Sequence, residues 1–354
     1  MKYLLMSDIH FHGWTTFASN DEHGINSRLK IIANEVIRAL DVHEKSGGDK
    51  VLVIAGDVFH TRGSVATDTL NYVMDLFGYI KGQGYEIHIL SGNHDLQSKD
   101  SNRLTSSVTA LEPHCEKVYS EVGADDSLAI VFVPWMQSVQ ELRGKLEEIV
   151  ETLDGEEGAY DLIIHAPIDN VIAGLPDHGL DAKYLAGLGF KRVFSGHYHN
   201  HKDFENGVYS IGATTHQTFS DIGSKAGFLS VGEEVNDVTY HASHAPKFVE
   251  ITAENYDDAA LIVDGNYVRC NITVGKESDV ELLRSEFEGC GAKGVVINQV
   301  KDNAATEREG VAVSTSSSAS LEASILSYVS TKGYSKEVSE LCLEILSESA
   351  EVEA

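Results

Sequence analysis

The sequence predicts a layered α/β domain followed by a small α+β module and a helical tail. Three observations carry this expectation. Short apolar runs alternate with helical patterns over the first two hundred residues, the pattern changes near residue 248, and a Ser-rich stretch precedes a last amphipathic segment. The runs at 3–6, 51–55, 85–90, 129–133, 160–164 and 193–195 have the length and composition of buried strands. Between the first two, Leu29, Ile32, Val36, Ile37 and Leu40 recur at helical spacing, and Leu70, Val73, Met74 and Phe77 make a second such face. Strands alternating with helices imply stacked layers. The runs at 208–211 and 228–231 look like hairpin strands, so the sheet is expected to be mixed.

Further along, residues 267–274 alternate strictly between apolar and polar. Ser278-Asp279-Val280-Glu281 reads as a capping box ahead of a helix carrying Leu283 and Phe287, with Gly289 as its stop. A strand over 294–300 completes the module. The expected organisation is a main domain over 1–247, a small module over 248–300, a flexible linker over 301–320 and a helical arm over 321–354. In the arm, Val338, Leu341, Cys342, Ile345 and Leu346 share one helical face, with Ser335 as its cap.

Charge narrows the class of partner. The chain carries 27 basic against 55 acidic residues, a net charge of −28. Such a chain repels nucleic acid at long range, which excludes a simple basic-patch binder. A phosphate site must be local, or supplied by metal ions or a partner. The four cysteines form no Cys-x-x-Cys pair, as expected of reduced thiols in a cytosolic protein. The N-terminal apolar run is too short for a signal sequence, and no run has the length of a membrane span. The expectation is a cytoplasmic protein with no membrane contact.

Five short motifs hold the candidate metal ligands, each after an apolar strand: Asp8-Ile9-His10, Gly56-Asp57-Val58-Phe59-His60, Gly92-Asn93-His94-Asp95, His165, and Gly196-His197-Tyr198-His199. The carboxyl ends of strands are where an open α/β sheet forms its crevice. Alternate residues of an extended segment point the same way, so Asp8 and His10 can reach one ion together. The glycines before Asp57, Asn93 and His197 are expected to let the backbone turn sharply. Any one motif alone is weak; the set in this order is not.

This series resembles the calcineurin-like metallophosphoesterase superfamily, and within it is most similar to SbcD-type double-strand-break-repair nucleases, including recombination nuclease subunits of large phages. The likeness runs strongly over residues 1–230. It implies an α/β/β/α sandwich with a small α+β capping domain and a C-terminal helical arm. It further implies that Asp8, His10 and His199 hold one metal, that Asn93, His165 and His197 hold another, and that Asp57 bridges both. His94 would be the catalytic acid, oriented by Asp95, and His60 would help to position DNA or phosphate. Two divalent cations leave such a site net positive despite the acidic chain. Metals about 3.5–4 Å apart can bind the phosphate between them and acidify a bridging water. Mixed imidazole and carboxylate ligation suits manganese, iron or zinc better than magnesium, and the resemblance implies manganese.

The implied function is a two-metal exo/endonuclease subunit that processes DNA ends and single strands in recombination and repair. Its implied partners are an SbcC-type ATPase and a second copy of the chain, in a bacterial or phage-infected cytoplasm. The alternatives are a nucleotide or cyclic-nucleotide phosphodiesterase of the same fold, or a non-catalytic scaffold for the ATPase. The extra module and arm argue against the first, and the intact ligand set against the second. Departures from the family pattern lie at Phe11-His12, which lengthen the first loop, and at Gly212-Ala213, where these nucleases often have Gly-Ser. His12, His201 and His216 read as loop histidines, although His216 could face substrate. Trp135 reads as packing.

Overall fold

The structure is a computed structural model that describes residues 1–96, 106–272 and 277–299. The linker over 301–320 and the arm over 321–354 lie outside the described residues.

The chain opens with β1 (Tyr3–Met6), α1 (Ser27–Lys45), β2 (Val51–Ala55), α2 (Thr67–Gly82), β3 (Glu86–Leu90) and β4 (Lys117–Tyr119). The second set is β5 (Gly123–Asp125), β6 (Ile130–Val133), α3 (Val139–Leu153), β7 (Asp161–His165), α4 (Ala182–Gly187), β8 (Arg192–Gly196), β9 (Lys202–Asp203) and β10 (Val208–Ser210). Then β11 (Gly227–Val231) and β12 (Val238–Ala242) return to the first sheet. The strand orders are β12-β11-β1-β2-β3-β4 and β5-β6-β7-β8-β10-β9, six strands each. Both sheets are mixed: β1 runs parallel to β2 and antiparallel to β11, while β10 runs parallel to β8 and antiparallel to β9.

Alternation along each strand builds the layers. Leu4 and Met6 of β1, with Leu52 and Ile54 of β2, pack under α1 and α2, while Tyr3, Leu5 and Val53 face Ile130, Phe132 and Ile163 of the other sheet. On the far side Val131, Leu162 and Ile164 meet Leu142 and Leu146 of α3. The result is the α/β/β/α sandwich. Strands buried on both faces read as continuous apolar runs, which is why β1 and β2 match the expected segments at both ends. Asn26 starts α1 by accepting the N–H groups of Arg28 and Leu29, and Ser138 starts α3 by accepting that of Glu141.

The last described segment comprises β13 (Phe248–Thr252), α5 (Ala259–Val263), β14 (Tyr267–Ile272), α6 (Glu277–Gly289) and β15 (Gly294–Gln299). Its three strands are all parallel and enclose their own core of Ile251, Val268, Cys270, Leu283 and Phe287. Helix α6 already includes Glu277, so Ser278 lies within its first turn and is not the cap. The module sits against the main domain through Phe17, whose ring stacks on Tyr267 at 5.4 Å, and through Phe248 N–H, which donates to His216 Nδ1. Within the described residues no helix is long and apolar enough to cross a membrane.

Candidate metal centre

Every proposed ligand sits where a strand ends. Asp8 and His10 follow β1, Asp57 follows β2, Asn93 follows β3, His165 closes β7, and His197 and His199 follow β8. Asp8, His10, Asp57 and His197 all hold positive φ, at 49°, 52°, 53° and 97°. Non-glycine residues rarely adopt this region, and such strain clusters where a site must be shaped. The preceding glycines contribute differently from expectation. Gly56 does have positive φ, but at Gly92 and Gly196 the need is room. A Cβ on Gly92 would come within 2.2 Å of Asp57 Oδ1, and one on Gly196 within 2.2 Å of Ser7 Oγ. The strand ends are drawn together so closely that no side chain fits.

The donor atoms fall into two groups that share Asp57. On one side His10 Nε2 lies 3.1 Å from His199 Nε2, 3.8 Å from Asp8 Oδ1 and 3.7 Å from Asp57 Oδ2. On the other, Asn93 Oδ1 lies 3.0 Å from both His165 Nε2 and His197 Nδ1, and His165 Nε2 is 3.4 Å from Asp57 Oδ2. Asp57 is locked in this pose because its Oδ1 accepts the His94 backbone N–H at 2.8 Å, leaving Oδ2 between the two groups. Asp8 Oδ2 accepts from Ser7 Oγ and the His197 N–H, whereas Oδ1 is buried without a hydrogen-bond partner among the described residues. A buried carboxylate oxygen left unpaired is costly, and a divalent cation among these donors would satisfy it. The residues present fit divalent metal.

Electrostatics agrees. Burial raises Asp8 above the usual carboxylate range, and the charge of Asp57 adds to it. Burial would raise Asp57 too, but the charge of His165 and its hydrogen bond outweigh burial and hold it well below that range. Burial likewise opposes a charge on His165, yet Asp57 carries it to about 9. Negative charge at this buried place is thus stabilised by an adjacent positive charge, the role a divalent cation would fill.

A family model described as calcineurin-like phosphoesterase matches residues 1–201. The chain belongs to the calcineurin-like phosphoesterase family. It is 25% identical over 244 residues to exonuclease subunit 1 of Enterobacteria phage T4, covering 65% of this chain and 69% of that protein. Among solved structures it is similar to a dimetal phosphatase from Danio rerio, at TM-score 0.41 and 11% identity over 69% of this chain and 99% of that one. It is also similar to the nuclease MPE of Pseudomonas putida, at TM-score 0.29 and 16% identity over 68% and 87%. The two structural likenesses are too loose to bear on substrate or reaction. As a calcineurin-like phosphoesterase the chain is a phosphoester hydrolase of a family that uses divalent metals, and its His and Asp clusters could bind them.

Within this phosphoesterase centre one expected role changes. Asp95 does not orient the His94 ring. Its carboxylate accepts the backbone N–H groups of Asp57 at 2.9 Å, Phe59 at 3.2 Å and Gly92 at 2.9 Å, tying the two loops together. The His94 ring is held instead by the His60 carbonyl, 2.5 Å from its Nδ1. The His60 ring stands 5.1 Å from that of His10 and 5.2 Å from that of His94. His216 turns away from the centre, its Nε2 on the Ser224 carbonyl.

Three contributions escaped the sequence. Asp221 holds His199 Nδ1 at 2.7 Å, fixing which nitrogen faces the centre. His12 stacks on Trp14 at 4.1 Å and reaches Gln217, and Trp14 meets the His60 ring edge-on at 4.2 Å. Trp135, expected to be packing, stacks on His197 at 4.9 Å and 28°.

Proposed function

We propose that the chain is a two-metal nuclease that hydrolyses DNA phosphodiesters, with manganese as the working metal, and that it processes DNA ends beside an SbcC-type ATPase. The observation that carries this reading is the pose of Asp57, whose Oδ2 lies between the two donor groups. Asp8, His10 and His199 would hold one ion, and Asn93, His165 and His197 the other. When bound, the pair supplies positive charge for a phosphate and the acidity that readies a water for attack. His94 is the proton donor to the leaving oxygen: Nδ1 is engaged by the His60 carbonyl, so Nε2 is the nitrogen left for substrate. His60, beside it, helps to position the phosphate. The small module over 248–300 would guide DNA, the apolar faces of the arm over 321–354 would dock on the ATPase, and two copies would pair as a homodimer. DNA, not a small ester, is favoured as substrate by the phage exonuclease relative.

The test is degradation of linear duplex DNA by the purified chain, with and without the ATPase, in manganese and in chelator. Manganese-dependent degradation is expected. Hydrolysis of bis(p-nitrophenyl) phosphate with DNA left intact under every condition would overturn the reading.

A further inference from the structure

A cavity of about 440 Å³ opens beside the second donor group, lined by Trp135, Met136, Val139, Pro167, His197 and Tyr198 among others. We propose that it receives the nucleobase next to the scissile phosphate, an inference that rests on the nuclease reading. The size suits an aromatic heterocycle. Its lining includes no Lys, Arg, Asp or Glu, so it is built for a neutral body and not for a second phosphate.

Its walls are of the kind that bases stack on. Trp135 is half-buried, stacks on His197 and meets His165 edge-on at 6.2 Å, while the Tyr198 ring lies 5.2 Å from that of His197. His197 belongs both to the cavity wall and to the donor group, so the cavity adjoins the place a phosphate would occupy. A phosphodiester held at the centre therefore brings an adjoining nucleoside to its mouth. The start of α3 faces the cavity through Ser138, Val139 and Gln140; Ser138 Oγ takes the Glu141 N–H, and the N–H groups of Val139 and Gln140 are of the kind that lack carbonyl partners within the helix. They offer donors to a base edge without demanding one base. Entry requires a base freed from its pair, so frayed and single-stranded ends are the substrates this pocket selects.

The trial compares binding of deoxyadenosine 5′-monophosphate and deoxyribose 5-phosphate to the manganese-loaded full chain by calorimetry. Wild type is expected to prefer the nucleotide. In Trp135→Ala that preference falls, by about 5- to 150-fold if one stacking contact is lost, and Trp135→Phe restores most of it. The ratio of the two affinities is the readout, so a general change in metal loading does not imitate the effect. The chain has two tryptophans, which permits a second reading in Trp14→Phe, where Trp135 emission should be quenched by the nucleotide and not by the sugar phosphate. If the chain cleaves DNA but Trp135→Ala keeps the wild-type preference, the pocket assignment is wrong and the nuclease reading survives. If the chain hydrolyses small diesters and never DNA, the nuclease reading fails and takes the pocket with it.

Discussion

His10 and His199 meet nitrogen to nitrogen, with 3.1 Å between their Nε2 atoms. Two lone pairs repel at that distance, so a proton or a cation must stand between them. Asp221 decides which nitrogen His199 presents, because it engages Nδ1 at 2.7 Å. Asp221→Asn should therefore weaken metal binding by about 10- to 100-fold, seen in a manganese titration. An unchanged affinity would show that His199 needs no such support.

Asp57→Asn should remove activity and lower occupancy at both metal positions together, because Oδ2 of this carboxylate faces both donor groups. Metal analysis of the purified variant reads this directly. Two ions still tightly held would take Asp57 out of the bridging role.

His94→Gln should keep both metals and cut turnover by about 10²–10⁴-fold, the usual cost of losing a general acid. The same preparation should be assayed for metal content and for rate. Loss of metal in step with rate would make His94 a ligand and place the acid elsewhere.

The metal-free protein should lose stability in acid through histidines buried far from the centre. Burial lowers His43, whose ring bonds Ser230 and the carbonyls of Lys2 and Asp49, and burial lowers His88 as well. Below about pH 6.5, the ordinary histidine value, the unfolded chain takes up protons that the folded chain refuses. Stability from these groups is thus full above that pH and declines as pH falls through it. Denaturant midpoints at pH 7.5 and 5.5 in chelator should differ, and by less in His43→Gln. An equal difference in variant and wild type would remove His43 from the effect.

Much of the fold was legible because its strands are buried on both faces. Strands β1, β2 and β7 stand out as apolar runs, and candidate ligands lie just past β1 and β2 and at the end of β7. Strand β9 did not, since two residues, Lys202 and Asp203, carry no periodicity. Helix α4, six residues long, is likewise too short for a pattern. The direct ligand candidates were legible because Gly-Asp, Gly-Asn-His and Gly-His-x-His are local. Asp221 was not, because it lies 22 residues from the histidine it supports and joins it only through the fold. Trp135 looks like any aromatic after a strand until His197 is placed beneath it. The role of Asp95 was misread because its neighbour in sequence, His94, is not its partner in space.

The most direct test of the central claim is anomalous diffraction from crystals soaked in manganese. Two peaks are expected, one among Asp8, His10 and His199 and one among Asn93, His165 and His197, with Asp57 between them. A single peak, or two peaks that do not share Asp57, would contradict the account.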